Sequence, residues 1–452
     1  MKRSLLYLLA LLYLSIPCAI FMFGWYDWMI SVPAVALIAY MIYALTKDVK
    51  GTINLGSMRF EMALMLVVVL WVLISGVGGF CWQNRWDHFY RNALFRELVN
   101  NSWPIIHGSE EVCYYFGYWL PSALVAKALN SLQAGYAFQV IWGCVGIWLT
   151  FRMLFDKLKD ISWKYVVVFI LFGGLDIIGN IVLWRFPLRN DLHIELWNSL
   201  AFFESNSTML CWVYNQVIPA WVGTMLIFST SMSRVAPFVL AIMLISCPFP
   251  VVGLFPLVLF YVVRDGIVRN NWLVSLRNIF SVRNLIALFI GVLAVLFMSR
   301  TKALQIFEVG DVFVVTWHLV LLFALEIGFL YPFVRQWICK RDFFILCGLL
   351  AVLALLPLSA TDLPSRAFIP LSVLLTIGCC QFVKHIDTQT RTKRVWFYIL
   401  GVIVSVTACL ELSRGVFMTI REPQSEWRNE KLKSIFDESI CRPNFITPVS
   451  EH

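Results

Sequence analysis

The sequence predicts an all-α polytopic membrane protein with about thirteen transmembrane helices and interfacial helices in the first long outer loop. Three observations carry this expectation. Of the 452 residues, 60% are hydrophobic and only 14% are charged, whereas soluble domains run near about 45–50% and about 25%. The apolar residues fall into runs close to the ~20 residues that a crossing helix needs. Lys and Arg collect in alternate connections between those runs, as the positive-inside rule requires.

The runs centre on 4–24, 28–46, 61–80, 136–156, 164–184, 214–231, 235–248, 250–264, 284–299, 313–333, 342–359, 367–384 and 395–413. The first follows Met1-Lys2-Arg3. It is long, lacks a small-x-small cleavage site and precedes further spans, so it reads as a helix and not as a cleaved signal. The pair 235–248 and 250–264 is short and joined through Cys247-Pro248-Phe249-Pro250. Proline removes a backbone donor there, which predicts a tight hairpin or one kinked, re-entrant element. With the N-terminus inside, the inner connections hold Lys47, Lys50, Arg152, Lys157, Arg264, Lys340, Lys384 and Arg394, among others.

Two long segments, 81–135 and 185–213, then lie outside, rich in Trp, Tyr, Phe, Asn and His. Aromatics with a polar tip suit the membrane–water boundary. The first segment predicts two helices, about 87–100 and 114–130, joined through Ser102-Trp103-Pro104 with Gly108 in the break. Helices are the natural form there, because loose backbone in lipid cannot satisfy its hydrogen bonds. Residues 1–413 form one transmembrane domain. Residues 414–452 form a polar tail on the outer side, with Trp427 and Phe436 spaced for a short amphipathic helix.

The net charge is +9, but it resides in loop Lys and Arg and forms no basic face with interleaved aromatics. The lipid bilayer is the expected partner, and nucleic acid is not. Most of the 12 Cys lie in apolar runs, where they act as small hydrophobes. Cys81, Cys113, Cys211 and Cys441 fall outside, which leaves a disulfide among them open. There is no Walker A sequence, dinucleotide glycine fingerprint, nucleophile elbow or His-Glu-x-x-His, so ATP hydrolysis and soluble-type protease chemistry are not expected.

The chemistry-bearing residues cluster in the outer segments. Asp87 stands where the chain leaves the third run, and Asp87 and Arg91 are i, i+4 neighbours on a helix. His88 flanks that face. An ordinary ion pair on an interfacial helix is the plain reading, and an acid beside arginines that grip a phosphate is the functional one. Glu110 and Glu111 are adjacent acids. They make either a solvated turn or, with Asp87, oxygen ligands for a divalent cation. Asp176 lies within Phe172-Gly173-Gly174-Leu175-Asp176, inside an apolar run, where a carboxylate needs a partner or a role. The glycines permit close backbone approach. The second outer segment offers Arg189, and Asn215 and Gln216 follow it. Asp362 and Arg366 form a charged turn between prolines, with Arg366 either snorkelling or binding a lipid phosphate. His318 and Glu326, eight residues apart, lie near one face of the tenth run. Asn206-Ser207-Thr208 fits the glycosylation sequon.

Several strings carry a resemblance: Trp86-Asp87-His88-Phe89-Tyr90-Arg91-Asn92, Trp103-Pro104, Tyr114-Tyr115-Phe116-Gly117-Tyr118-Trp119-Leu120-Pro121, Gly174-Leu175-Asp176, Trp212-Val213-Tyr214-Asn215-Gln216 and Asp362-Leu363-Pro364-Ser365-Arg366. Over about residues 60–370 the chain resembles the GT-C superfamily of membrane glycosyltransferases, among its poorly characterised bacterial members. The resemblance implies a multi-pass protein of the bacterial cytoplasmic membrane with an outward site. It implies inverting transfer of a sugar from a polyprenyl-phosphate-linked donor, with Asp87 as general base. Arg366, Arg91 or Arg189 would neutralise the departing phosphate, and His88, Asp176, Glu110, Glu111, Asn215, Gln216 and Asp362 would line the substrate pocket. Many members carry two acids where this chain has Asp87 alone, which leaves a divalent cation open. The sugar and the acceptor are not specified by the sequence. Three other readings stand beside it: a transporter or flippase of a lipid-linked sugar, a polysaccharide polymerase or ligase, and a non-catalytic scaffold.

Overall fold

The structure, a computed structural model, describes residues 1–83, 87–183, 194–198, 201–230, 232–267, 272–301, 315–355, 362–421 and 446–448. The chain begins with α1 (Arg3–Trp25), α2 (Trp28–Thr46) and α3 (Met58–Ile74). The long segment after α3 supplies α4 (Asp87–Asn100), strands β1 (Ile106–His107) and β2 (Glu110–Val112), and α5 (Leu120–Ala128). Next come α6 (Leu132–Leu158), α7 (Trp163–Leu171), α8 (Asp176–Val182) and α9 (Asn206–Ser229). They are followed by α10 (Met232–Met243), α11 (Pro248–Gly266), α12 (Trp272–Ile279) and α13 (Val282–Met298). The last part holds α14 (Val315–Leu322), α15 (Tyr331–Val334), α16 (Lys340–Leu355), α17 (Asp362–Ala367), α18 (Ile369–Lys384) and α19 (Arg391–Arg421). Strand β3 (Ile446–Pro448) closes the described chain.

Each apolar run of the sequence overlaps at least one helix among the described residues. Among the described residues eight helices are long and apolar enough to cross a membrane, or nine if α12 and α13, bent by 45°, count as one span. The other runs form helices shorter than 18 residues: α3, α10, α16 and α18. The doubtful pair resolves into two helices that pack on each other, α10 and α11, with Pro248 in the first turn of α11. That position suits proline, whose missing N–H would be unpaired there anyway.

Helix α9 is the hub. Its most apolar stretch is 89% buried, against 22% for α19. It packs against α1, α6, α7, α10, α11, α18 and α19. Small residues set the close approaches: a Cβ at Gly146 of α6 would press on Tyr13 of α1 and Ile218 of α9. Close packing of this kind is the main source of helix association in lipid.

Connections assigned to one side by charge do meet one another. Arg3 forms two 2.9 Å bonds to Asp156, Lys157 donates to the Phe228 carbonyl, and Lys384 donates to the Leu158 carbonyl. At the other end Arg300 pairs with Glu111 at 3.0 Å, and the Gly117 N–H donates to the Ile245 carbonyl.

Three features depart from the sequence expectation. A small antiparallel sheet, β1-β2-β3, is present in a chain read as all-α. Its hairpin turns at Gly108, whose φ of +61° glycine adopts without steric cost. Its third strand comes from the C-terminal tail, with Glu111 opposite Thr447. The last helix runs to Arg421 and so crosses the expected boundary at 413. Trp427 and Phe436 lie outside the described residues.

Candidate functional site

Helix α4 begins with Asp87, where a carboxylate is favoured by the helix dipole. Its buried residues, Phe95 and Leu98 among them, anchor it, and Phe95 lies against Gly135 of α6. Asn92 donates to Gln83 at 2.7 Å, and Gln83 donates to the Gly76 carbonyl. These bonds tie α4 to Gln83 and to the turn at Gly76. Asp87 pairs with Arg91 at 3.4 Å; the Asp87 side chain is 39% exposed and that of Arg91 only 7%.

The face of α4 turned inward docks onto a broken turn of α9. Val213, at φ −137° and ψ 37°, interrupts the helix. The break frees carbonyls that the helix would otherwise use, and an unpaired buried carbonyl is costly. His88 Nε2–H donates to the Cys211 carbonyl at 2.7 Å, and Arg91 donates to the Trp212 carbonyl. A carbonyl only accepts, so Nε2 carries the proton. Burial, and next the neighbouring Arg91, pull His88 down to about 4. Its ring also stacks on Tyr214, with centroids 5.6 Å apart.

A second arginine comes to the same place from α17. Arg366 donates to the Tyr115 hydroxyl at 3.4 Å, and Tyr115 stacks on Tyr114 at 3.8 Å. Burial pushes the Tyr114 hydroxyl well up, and the charges of both Arg91 and Arg366 pull it back. Both guanidinium charges thus act on Tyr114, and Arg366 also bonds its neighbour Tyr115. Asp362 starts α17.

Beneath His88, Tyr214 accepts from Trp119 at 3.1 Å. Asn215 and Gln216 are fully buried, and none of their side-chain nitrogens and oxygens has a hydrogen-bond partner in the structure. They belong to the interior of α9 and not to an open pocket wall.

Asp176 lies elsewhere. The fifth run is broken: α7 ends at Leu171 and α8 begins at Asp176, with extended backbone between. The start of α9 caps the break. The Asn206 N–H donates to the Phe172 carbonyl, the Asn206 side chain to that of Phe169, and the Ser207 hydroxyl to that of Ile170. Asn206-Ser207-Thr208 is thus buried capping chemistry, which corrects its reading as a glycosylation site.

Asp176 accepts from Thr407 of α19 at 2.8 Å and neighbours the carboxyl of Glu326, which accepts from Trp197 at 2.7 Å. A methyl at Gly174 would overlap that Glu326 carboxyl, so the glycine is required. Glu326 sits in a wide π turn, Phe323–Ile327. This turn removes the α spacing that put His318 and Glu326 on one face. Glu195 joins the group: it is buried, accepts from the Ser205 N–H at 2.8 Å, and is pushed well up by burial and then by Asp176.

One polar track links the two regions. Glu411, one turn beyond Thr407 on α19, accepts from Trp212 at 2.9 Å, and Trp212 supplies the carbonyl that Arg91 holds. Glu411 lies in the last apolar run, where a lone acid was the available signal. The Tyr114–Tyr115 pair stood in one of the strings that carry the resemblance, but nothing in the sequence paired it with Arg366.

The cation set expected from Asp87, Glu110 and Glu111 is not assembled. Glu111 is held by Arg300 in β2. Among the described residues no group of three or more His, Cys, Asp or Glu side chains is arranged to hold a metal. Arg189 lies outside the described residues, as does Cys441. Cys81, Cys113 and Cys211 are free thiols. No protein-family model, curated protein or solved structure matches the chain.

Proposed function

We propose that the chain is a membrane glycosyltransferase of GT-C type, moving a sugar from a polyprenyl-phosphate donor to an acceptor hydroxyl. The reading includes thirteen spans, with α3, α10, α16 and α18 crossing as well. It also places α4 and α5 in the interface and the site on the outer face of a bacterial cytoplasmic membrane. One observation supports it most: a half-exposed Asp87 is salt-bridged to Arg91 at the start of α4, and the charges of both Arg91 and Arg366 reach the buried Tyr114.

In this mechanism Asp87 takes the acceptor proton as the acceptor oxygen attacks the anomeric carbon. The bond from that carbon to the phosphate oxygen breaks, and the configuration inverts. The lipid phosphate leaves with the electron pair. Arg366, with Arg91 behind it, offsets the growing charge, and preorganised charge of this kind often contributes more to catalysis than any other effect. Asp87→Asn, assayed with a labelled polyprenyl-phosphate sugar at matched expression, is expected to lose at least about 100-fold in transfer. Wild-type transfer by that variant removes Asp87 from the mechanism, and no transfer by the wild type removes the reading.

A second reading, a transporter or flippase of a lipid-linked sugar, draws on the broken α7–α8 span. Interrupted membrane helices with an acid at the break are how many transporters hold substrate or coupling ions. Movement of a labelled lipid-linked sugar across vesicles, without product formation, would favour it.

A further inference from the structure

A groove of about 550 Å³ opens between α7, α18 and α19, within the usual ~300–1,000 Å³ of a ligand site. Its walls are almost wholly apolar: Val168, Phe172, Cys379, Gly401 and Val404 are representative. Among the described residues only one charged side chain lines it, Lys164, in the first turn of α7.

The two outer walls run parallel and in step. Asp176 bonds Thr407, and a Cβ on Gly173 would touch the Val404 carbonyl at 3.5 Å. Lys164 shares the groove lining with Phe397 and Tyr398 of α19. Arg394 lies outside the lining but stands one helical turn before Phe397 and Tyr398, on the face of α19 that continues the groove. The nearest acid on α7's side, Asp160, accepts from Tyr165 and pairs with neither cation. The groove therefore has a greasy bore, one cation on its lining and a second one helical turn further along α19.

We infer that this groove holds one acyl chain of an anionic phospholipid, with its phosphate at Lys164 and Arg394. Long basic side chains naturally carry their charge to headgroup depth, and the apolar bore selects a hydrocarbon tail. This site is separate from the Asp87 region and does not depend on the sugar-transfer reading. Gly401 provides a clean probe, because a Cβ there meets no atom within 4 Å. A large side chain at that position fills the bore without forcing the helices apart.

The test is native mass spectrometry of the full chain with added phosphatidylglycerol or phosphatidylcholine. The wild type is expected to retain one phosphatidylglycerol that survives activation. Gly401→Trp is expected to lose that adduct while keeping its melting temperature. Lys164→Ala with Arg394→Ala should weaken phosphatidylglycerol retention about thirtyfold, near fivefold for each basic side chain, and leave phosphatidylcholine unchanged. Equal adducts in all three proteins overturn the proposal. So does one-for-one displacement of the phosphatidylglycerol by polyprenyl phosphate, which would make the groove the donor's.

Discussion

Two residues on one helix turn show how little separates a structural from a chemical role. Arg91 and His88 both close the broken turn of α9, yet Arg91 also faces Asp87. Asp87→Asn should therefore change stability by no more than about 1 kcal/mol, because its ion pair is exposed on one side. Its effect on transfer then reads chemistry alone. His88 gives a pH prediction. The folded protein holds the imidazole at about 4, below its ordinary 6.5. The unfolded chain thus binds the proton first, so His88's contribution is intact above about 6.5 and is lost as pH falls towards 4. Thermal melts of the wild type should drop across that window, and those of His88→Gln should drop less. Asp87 was legible in the sequence because it opens a charged stretch, with Arg91, Arg96 and Glu97, in a chain otherwise poor in charge. The Trp212–Glu411 bond was not, since its partners lie 199 residues apart and only folding brings them together.

At the scale of elements, the breaks matter more than the helices. The sequence pattern located the fifth and tenth runs but not the interruptions within them. Mean hydropathy is blind to a few extended residues whose carbonyls are capped from another helix. The glycines did carry a signal: Gly173-Gly174 beside Asp176 pointed to close approach, and Glu326 occupies the space that a side chain at Gly174 would need. Gly174→Ala should destabilise by about 1–3 kcal/mol through overpacking. Adding Glu326→Ala should recover part of that loss. A double-mutant cycle on melting or denaturant curves measures the coupling, and simple additivity would mean that the two do not meet.

At the scale of the molecule, charge sidedness was the most informative pattern. It sorted the connections into two ends, and those ends are the ones that bond within themselves. It could not foresee that the tail returns to the first loop, because two or three residues of strand carry no periodicity. The pairing of β3 with β2 has a practical corollary. It lays Ile446–Pro448 beside Glu110–Val112, just ahead of Tyr114 and Tyr115, while the amino group of Met1 is tied to the Ile53 carbonyl. Cutting the chain before Ile446 should therefore uncover the β2 edge and speed amide exchange in Glu110–Val112, while the tie at Met1 stays as it is.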